Sequence, residues 1–248
     1  MKIKAVLLDL DNTMILFDET AFYLRYMERI IPFFADLIPE DQFRDRLLRG
    51  IRGLLRNNGE VSNREFFLDT FCDGDGAVRQ AVWERFMRFY EEEYEKVPVE
   101  AATPAGLDRV LDQLDGWGME LVVATNPLFP QIAQEKRMQW AGLDRRRFRW
   151  ITHLDNSTYV KPRVEYYHQI SDAIGRPPQA CIMVGNDAVN DMVAGSAGMA
   201  TYLTNEAGAV DYSAVTRGRN IRLGQTYSAD FTGPLADLLA VVERLRSS

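Results

Sequence analysis

The feature that most constrains this chain is a short apolar run that ends abruptly in carboxylates. Residues 5–8 are all apolar and are long enough for one strand. Asp9, Asp11 and Thr13 follow within five residues. An uninterrupted apolar strand is typical of a parallel sheet covered by helices on both faces. Such sheets bind ligands at the carboxyl ends of their strands, so the run predicts an α/β fold with its carboxylates at the binding edge.

Asp9 and Asp11 are two residues apart in an extended chain, so their side chains are expected on the same side. Two carboxylates held together repel each other unless a cation lies between them or one is protonated. Mg²⁺, which takes a few carboxylates together with water and phosphate oxygens, is the natural candidate. The alternative is structural, because an acidic segment after a strand also caps and charges the start of a helix.

The pattern of apolar runs separated by helical segments recurs through the second half of the chain. Alternating strands and helices predict a doubly wound parallel sheet, a Rossmann-like core. A helix is predicted to follow residues 186–191 and to run through residue 197. The further strands are predicted at residues 119–124, 148–152, 181–185, 199–203 and 220–223.

The segment between the first and second strands is different in character. Apolar residues recur there every three or four positions, which predicts four consecutive helices with no strand between them. Ser62 and Glu65 have the spacing of a capping box at the start of the third helix. We therefore expect a helical-bundle cap domain at residues 17–98, inserted into a catalytic core formed by residues 1–16 and 99–248.

Three more sets of polar residues follow predicted strands. Thr125 and Asn126 come after the second strand, and Lys161 lies in the loop beyond the third. Beyond the fourth strand come Asn186, Asp187 and Asp191. Each has a plain alternative, since Thr and Asp cap helices and most lysines are on the surface. In a doubly wound sheet, however, these strand ends converge on one crevice.

Together the four segments resemble the signature of the haloacid dehalogenase-like superfamily, in its phosphatase branch with a helical cap after the first motif. Asp9-Leu-Asp11-Asn-Thr13 resembles its first motif, and Thr125 at a strand end the second. Lys161, followed by proline, resembles the third motif, and the acidic pair of Asp187 and Asp191 the fourth. The resemblance spans most of residues 5–200.

The resemblance implies a chemical role for each of these residues. Asp9 would be the nucleophile that forms an aspartyl-phosphate, and Asp11 the general acid and then the general base. Asp11 would give the metal its backbone carbonyl. Thr125, Asn126 and Lys161 would bind the phosphoryl group.

One departure from the family pattern leaves the metal ligand open. The family often has Gly-Asp after the fourth strand, whereas this chain has Gly185-Asn186-Asp187. We expect Asp187 to bind Mg²⁺ together with Asp9 and Asp11, because a carboxylate binds Mg²⁺ better than an amide does. Asn186 and Asp191 remain as further ligands or as groups that orient the ligands.

The expected function is a Mg²⁺-dependent phosphatase acting on a small phosphorylated metabolite. A dehalogenase of this family lacks an acid at the position of Asp11, because its leaving group needs no proton. A phosphomutase would use the same residues, and a phospho-accepting, metal-binding regulatory protein with little turnover is a further alternative. Residues 49, 52 and 56, all arginine, are expected to form a solvated stripe, and Phe17 and Tyr23 to serve in packing.

Composition limits the partners. The formal net charge of −7 argues against a nucleic-acid-binding protein, which would carry a basic surface. No apolar run approaches the roughly 20 residues that span a bilayer, so no membrane partner is expected. Two widely spaced cysteines and an N-terminus without a secretory leader suit the cytoplasm. The oligomeric state stays open.

Overall fold

The computed structural model describes residues 2–207 and 226–247, and its framework is a six-stranded sheet. The strands are β1 (Ala5–Leu8), β2 (Glu120–Val123), β3 (Phe148–Ile151), β4 (Cys181–Gly185), β5 (Ala200–Thr204) and β6 (Phe231–Gly233). Their order is β3-β2-β1-β4-β5-β6, and every neighbouring pair is parallel. The predicted doubly wound parallel fold is confirmed.

The register of the central strands brings their ends level. Leu8 lies opposite Val123 on one side and Val184 on the other. The amide of Asp9 continues the ladder by donating to the Val184 carbonyl at 2.9 Å. All four residues of β1 are fully buried, as expected of a strand covered on both faces. The polar residues that follow β1, β2 and β4 therefore start at the same edge of the sheet.

Helices cover the two faces of the sheet with separate apolar clusters. One cluster joins β1 and β4 to α5 (Leu107–Gly116) and to α8 (Leu238–Ser247). The other face packs against α7 (Val164–Ile174) through Tyr166, Tyr167 and Ile170. The remaining helix of this part of the chain, α6 (Gln131–Trp140), follows β2.

Between β1 and β2 the chain forms the helical insertion, which consists of α1 (Glu19–Phe33), α2 (Glu40–Gly53), α3 (Asn63–Phe71) and α4 (Gly76–Glu92). Side chains cap the starts of three of these helices. Asp18 and Asp75 cap α1 and α4, and Ser62 and Glu65 form the predicted capping box.

The helical insertion has its own aromatic core. Phe34, Phe43, Phe71 and Phe86 are buried against one another, with ring centroids 4.6 to 6.2 Å apart. Leu16 forms an antiparallel bridge with Ala102 where the chain leaves and re-enters the sheet region. Leu16 lies at the boundary predicted at 16/17, and Ala102 lies a few residues after the boundary predicted at 98/99. Whether residues 17–98 act as a separate domain stays a prediction.

Two elements differ from those predicted. The helix expected after residues 186–191 and through residue 197 is a 3-10 helix at Met192–Ala197. It is preceded by a turn that the Asp187 carboxylate closes by accepting hydrogen bonds from the amides of Val189 and Asn190. The strand expected at 220–223 lies outside the described residues, and β6 at Phe231–Gly233 was not foreseen. Within residues 2–207 and 226–247, no helix is both long and apolar enough to cross a membrane.

Candidate active site

The polar residues after the strands surround one cavity of about 540 Å³ between the carboxyl edge of the sheet and the helical insertion. The structure thus brings together every site residue predicted from the sequence. Those lining the cavity are Asp9, Asp11, Thr125, Asn126, Lys161, Asn186, Asp187 and Asp191. Phe17 and Tyr23, which we expected to serve in packing, line it as well. The arginines at 49, 52 and 56 are not among its lining residues.

Lys161 lies between two carboxylates at the floor of the cavity. Its Nζ donates to Asp9 Oδ1 at 2.7 Å and to Asp191 Oδ1 at 2.6 Å, and its side chain is 2% exposed. Burial lowers the pKa of Lys161, but Asp191 and Asp9 outweigh it and hold that pKa well above its usual value. Lys161 is therefore a fixed positive charge against one oxygen of Asp9.

Asp11 is paired with a residue that the sequence did not single out. Arg137, on α6, donates to Asp11 Oδ2, and its side chain is 4% exposed. The guanidinium lies over the rings of Phe17, Phe22 and Phe129, 4.9 to 5.9 Å from their centroids. Only the apolar neighbours Ala133 and Met138 hint in the sequence that this face of α6 is buried.

The second oxygen of Asp11 has a different environment. Asp11 Oδ1 is buried and has no hydrogen-bond partner among the described residues. Burial raises the pKa of Asp11, and Arg137 opposes this shift. A carboxyl group with a raised pKa and a free oxygen at a cavity wall is suited to hold and transfer a proton.

The end of β2 is fixed by two hydroxyl groups. The Thr125 carbonyl accepts from Thr152 Oγ1 at 2.6 Å and from the Tyr166 hydroxyl at 2.8 Å. Thr125 is 2% exposed. Asn126 Oδ1 is buried without a hydrogen-bond partner among the described residues. The strand end is therefore held firmly while the Asn126 side chain keeps a polar atom available at the cavity.

The loop after β4 directs Asn186 and Asp187 differently. Thr13 Oγ1 lies 3.4 Å from Asn186 Oδ1 and 3.5 Å from Asp9 Oδ2, so the amide of Asn186 lies close to the first carboxylate. Asp187 instead accepts from the Val189 amide at 2.7 Å, from the Asn190 amide at 2.9 Å and from Asn190 Nδ2 at 2.6 Å. Its carboxylate is bound within its own loop.

Gly185 allows Asp191 to approach the end of β4. A Cβ on Gly185 would lie 2.1 Å from Asp191 Oδ2, which is closer than any real contact. That oxygen accepts from the Asp187 amide at 3.0 Å, while the other oxygen accepts from Lys161. The absence of a side chain at Gly185 is therefore needed for the position of Asp191 and, through it, of Lys161.

The donors near Asp9 suit Mg²⁺. Among the described residues, no group of three or more His, Cys, Asp or Glu side chains is arranged for metal binding. Lys161 separates Asp9 from Asp191, and Asp187 is bound within its loop. Mg²⁺ needs only one or two carboxylates and keeps several waters. Asp9 Oδ2 and Asn186 Oδ1, which lie against the same hydroxyl, meet this requirement.

Solved structures with a similar fold include enzymes of different chemistry. A HAD phosphatase from Thermococcus onnurineus is 22% identical, with a TM-score of 0.57 and coverage of 98% of this chain and 100% of that one. L-2-haloacid dehalogenase from Xanthobacter autotrophicus is 14% identical, with a TM-score of 0.52 and coverage of 97% and 98%. The putative HAD-hydrolase YfnB from Bacillus subtilis, solved with bound magnesium, is 18% identical, with a TM-score of 0.52 and coverage of 98% and 99%.

At these identities the likeness is one of fold. Among curated proteins, none is significantly similar in sequence. The family model for haloacid dehalogenase-like hydrolases matches residues 3–198, a span that contains all four motifs and the helical insertion. The chain belongs to the haloacid dehalogenase-like hydrolase family.

Proposed function

We propose that this hydrolase is a Mg²⁺-dependent phosphatase that cleaves a small phosphate monoester through an aspartyl-phosphate on Asp9. The observation that carries the proposal is the pair of carboxyl groups after β1. Asp9 is held by Lys161 on one oxygen, while two residues later Asp11 keeps a buried oxygen without a partner among the described residues. One group is suited to attack and the other to transfer a proton.

In the first step, a carboxylate oxygen of Asp9 attacks phosphorus and the bond from phosphorus to the ester oxygen breaks. Asp11, protonated, gives its proton to the departing alkoxide, which leaves as an alcohol. In the second step, Asp11 as carboxylate takes a proton from water while the water oxygen attacks the same phosphorus. The bond between Asp9 and phosphorus breaks, inorganic phosphate is released, Asp9 returns to its carboxylate form and Asp11 to its protonated form.

The other residues would act on charge and position. Lys161 would offset the negative charge of Asp9 and of the phosphoryl oxygens as they approach each other. The Thr125 hydroxyl and the Asn126 backbone amide would donate hydrogen bonds to a phosphoryl oxygen at the fixed end of β2. Asp9, the Asp11 carbonyl and Asn186 would hold Mg²⁺, with Asp187 and Asp191 as further candidates. When bound, the metal would supply positive charge at the phosphoryl group.

A haloacid dehalogenase is the second candidate, because several structural neighbours carry that name. Displacement of a halide by a carboxylate needs no proton donor at the leaving group. An acid whose pKa burial raises, placed beside the nucleophile, has a use in ester cleavage and none in halide release. Asp11 therefore favours phosphoryl transfer. A phosphomutase would use the same acid, whereas a phospho-accepting regulatory protein has no use for an acid two residues after the nucleophile.

The test compares both leaving groups on one preparation. Phosphate release from 4-nitrophenyl phosphate is measured with Mg²⁺ and with EDTA, next to chloride release from 2-chloropropionate. We expect Mg²⁺-dependent phosphate release that Asp9→Asn abolishes, and no chloride release. Chloride release that persists in EDTA would reverse the assignment. A phosphorylated protein that does not turn over would indicate the regulatory alternative.

A further inference from the structure

The cavity extends from the carboxylates into the helical insertion, and its far walls are apolar. Beyond Phe17 and Phe22 they are formed by Leu48, Ile51, Trp83 and Phe86, together with neighbouring aromatic residues. This part of the cavity, which we call the apolar chamber, is continuous with the space beside Asp9 and Asp11. Whatever organic group a phosphate ester carries would enter the apolar chamber while its phosphoryl group meets Asp9.

Both cations that line the cavity are already bound to carboxylates. Lys161 donates to Asp9 and Asp191, and Arg137 donates to Asp11. Arg137 is also enclosed by three aromatic rings. Within the described part of the chain, no lining cation is therefore left to bind a second anionic group of a substrate, such as a carboxylate or another phosphate.

Two of the tyrosine hydroxyl groups that line the apolar chamber are bound to each other. The hydroxyls of Tyr26 and Tyr90 hydrogen-bond each other at 2.9 Å. The helical insertion contributes one charged side chain, Glu19, and one aliphatic hydroxyl, Thr20, to the cavity lining. Both residues are exposed at the start of α1. A sugar or other polyol placed against the aliphatic and aromatic walls of the apolar chamber would lose its water without gaining matching hydrogen bonds from those walls, which is unfavourable.

Arg49 and Arg52 of α2 are not among the lining residues and so supply no cation to the cavity wall. Arg49 pairs with Asp73 at 2.8 Å, and Arg52 is exposed. Leu48 and Ile51, on the same helix, line the apolar chamber instead. The helix therefore presents its aliphatic side chains to the cavity and its charges to other parts of the surface.

Resting on the proposed phosphatase function, we propose that the substrates are phosphate monoesters of apolar alcohols, with an aromatic or aliphatic group that fills the apolar chamber. Each methylene transferred from water to these walls would raise kcat/KM by about fourfold until the apolar chamber is filled. Hydroxylated or doubly anionic phosphate esters of the same length would gain no such increase.

The test is a substrate series with Mg²⁺: methyl, butyl, hexyl and benzyl phosphate against glycerol 3-phosphate, glucose 6-phosphate and phosphoglycolate. We expect kcat/KM to rise from methyl to hexyl and to be high for benzyl phosphate. The polyol and carboxylate esters should stay near or below methyl phosphate. A sugar phosphate or phosphoglycolate that exceeds hexyl phosphate would overturn the assignment.

A variant and a control locate the effect. Leu48→Gln places an amide on the wall of the apolar chamber and should lower kcat/KM for hexyl phosphate about tenfold, with little change for methyl phosphate. Leu55→Gln changes a residue that is 51% exposed and does not line the cavity, so it should leave the series unaltered. An equal loss for both esters in Leu48→Gln would contradict the role of this wall.

Binding of phosphonates separates this inference from the phosphatase proposal. Calorimetry on the unaltered protein with Mg²⁺ would compare the binding of hexylphosphonate with that of methylphosphonate. Both have a carbon–phosphorus bond in place of the ester bond, so a phosphatase does not cleave them. Preferential binding of hexylphosphonate without turnover of any ester would support the apolar chamber and reject the phosphatase. Turnover of esters together with equal binding of both phosphonates would support the phosphatase and reject the apolar chamber as the specificity site.

Discussion

Arg137 donates a hydrogen bond to Asp11 Oδ2 from within a cage of three aromatic rings, while Asp11 Oδ1 is buried without a hydrogen-bond partner in residues 2–207 and 226–247. One oxygen of the Asp11 carboxyl group is therefore bound to a fixed cation, and the other is left at the cavity. Burial raises the Asp11 pKa, and the nearby positive charge lowers it. Arg137 is therefore proposed to set the pH range in which Asp11 keeps its proton.

The first prediction concerns this pH range. Arg137→Met removes the charge that lowers the Asp11 pKa, so the pKa should rise and Asp11 should stay protonated to higher pH. The alkaline limb of kcat/KM for an alkyl phosphate should move upward by about 1 to 3 pH units, the size of a single close charge effect. Arg137→Lys keeps a positive charge and should leave the limb near its original place. A downward shift in Arg137→Met would contradict the proposed role of Asp11 as acid.

The second prediction concerns the metal ligand after β4. Asn186→Asp should tighten Mg²⁺ binding by about tenfold, because a carboxylate replaces an amide next to Asp9 Oδ2. Asp187→Asn should change Mg²⁺ affinity little and should lower the free energy of unfolding by about 1–3 kcal/mol, since the charged acceptor of two backbone amides is lost.

Titration calorimetry with Mg²⁺ and thermal unfolding of both variants measure these effects. Loss of Mg²⁺ binding in Asp187→Asn, with no gain in Asn186→Asp, would show that Asp187 is the ligand, as we first expected from the sequence.

The third prediction concerns Gly185. Gly185→Ala would place a Cβ 2.1 Å from Asp191 Oδ2, so Asp191 must move and Lys161 loses one of its two carboxylate partners. We expect a loss of about 1–3 kcal/mol of stability and a marked fall in kcat. Gly195→Ala is the matched control, because its nearest neighbour would be Thr201 Cγ2 at an ordinary 3.6 Å. Equal behaviour of the two variants in denaturant unfolding and in phosphate release would refute this function of Gly185.

Much of the site could be predicted because the parallel register leaves little choice. Once residues 5–8 form a buried strand level with β2 and β4, the polar residues after Leu8, Val123 and Val184 must meet at one edge. The same rule does not apply to β6, whose three residues Phe231–Gly233 include a threonine and a glycine and give no apolar run.

Arg137 and the direction of Asp187 could not be predicted for a different reason. Arg137 lies on a helix with several charged residues, and only the tertiary packing of Phe17, Phe22 and Phe129 buries it. An aspartate in the loop after a strand can bind a metal or accept the amides of its own turn with the same local sequence. The choice depends on backbone dihedrals in the loop, which residue spacing does not encode.

The most direct test of the proposed mechanism uses Asp11→Asn with 4-nitrophenyl phosphate and Mg²⁺. The nitrophenolate leaves without a proton, so Asp9 should still be phosphorylated, whereas water should no longer be activated to release the phosphate. We predict a burst of about one nitrophenol per chain, followed by slow turnover. Mass spectrometry of the acid-quenched protein should find a phosphoryl group on Asp9. Steady turnover without a burst, and no phosphate on Asp9, would contradict the mechanism.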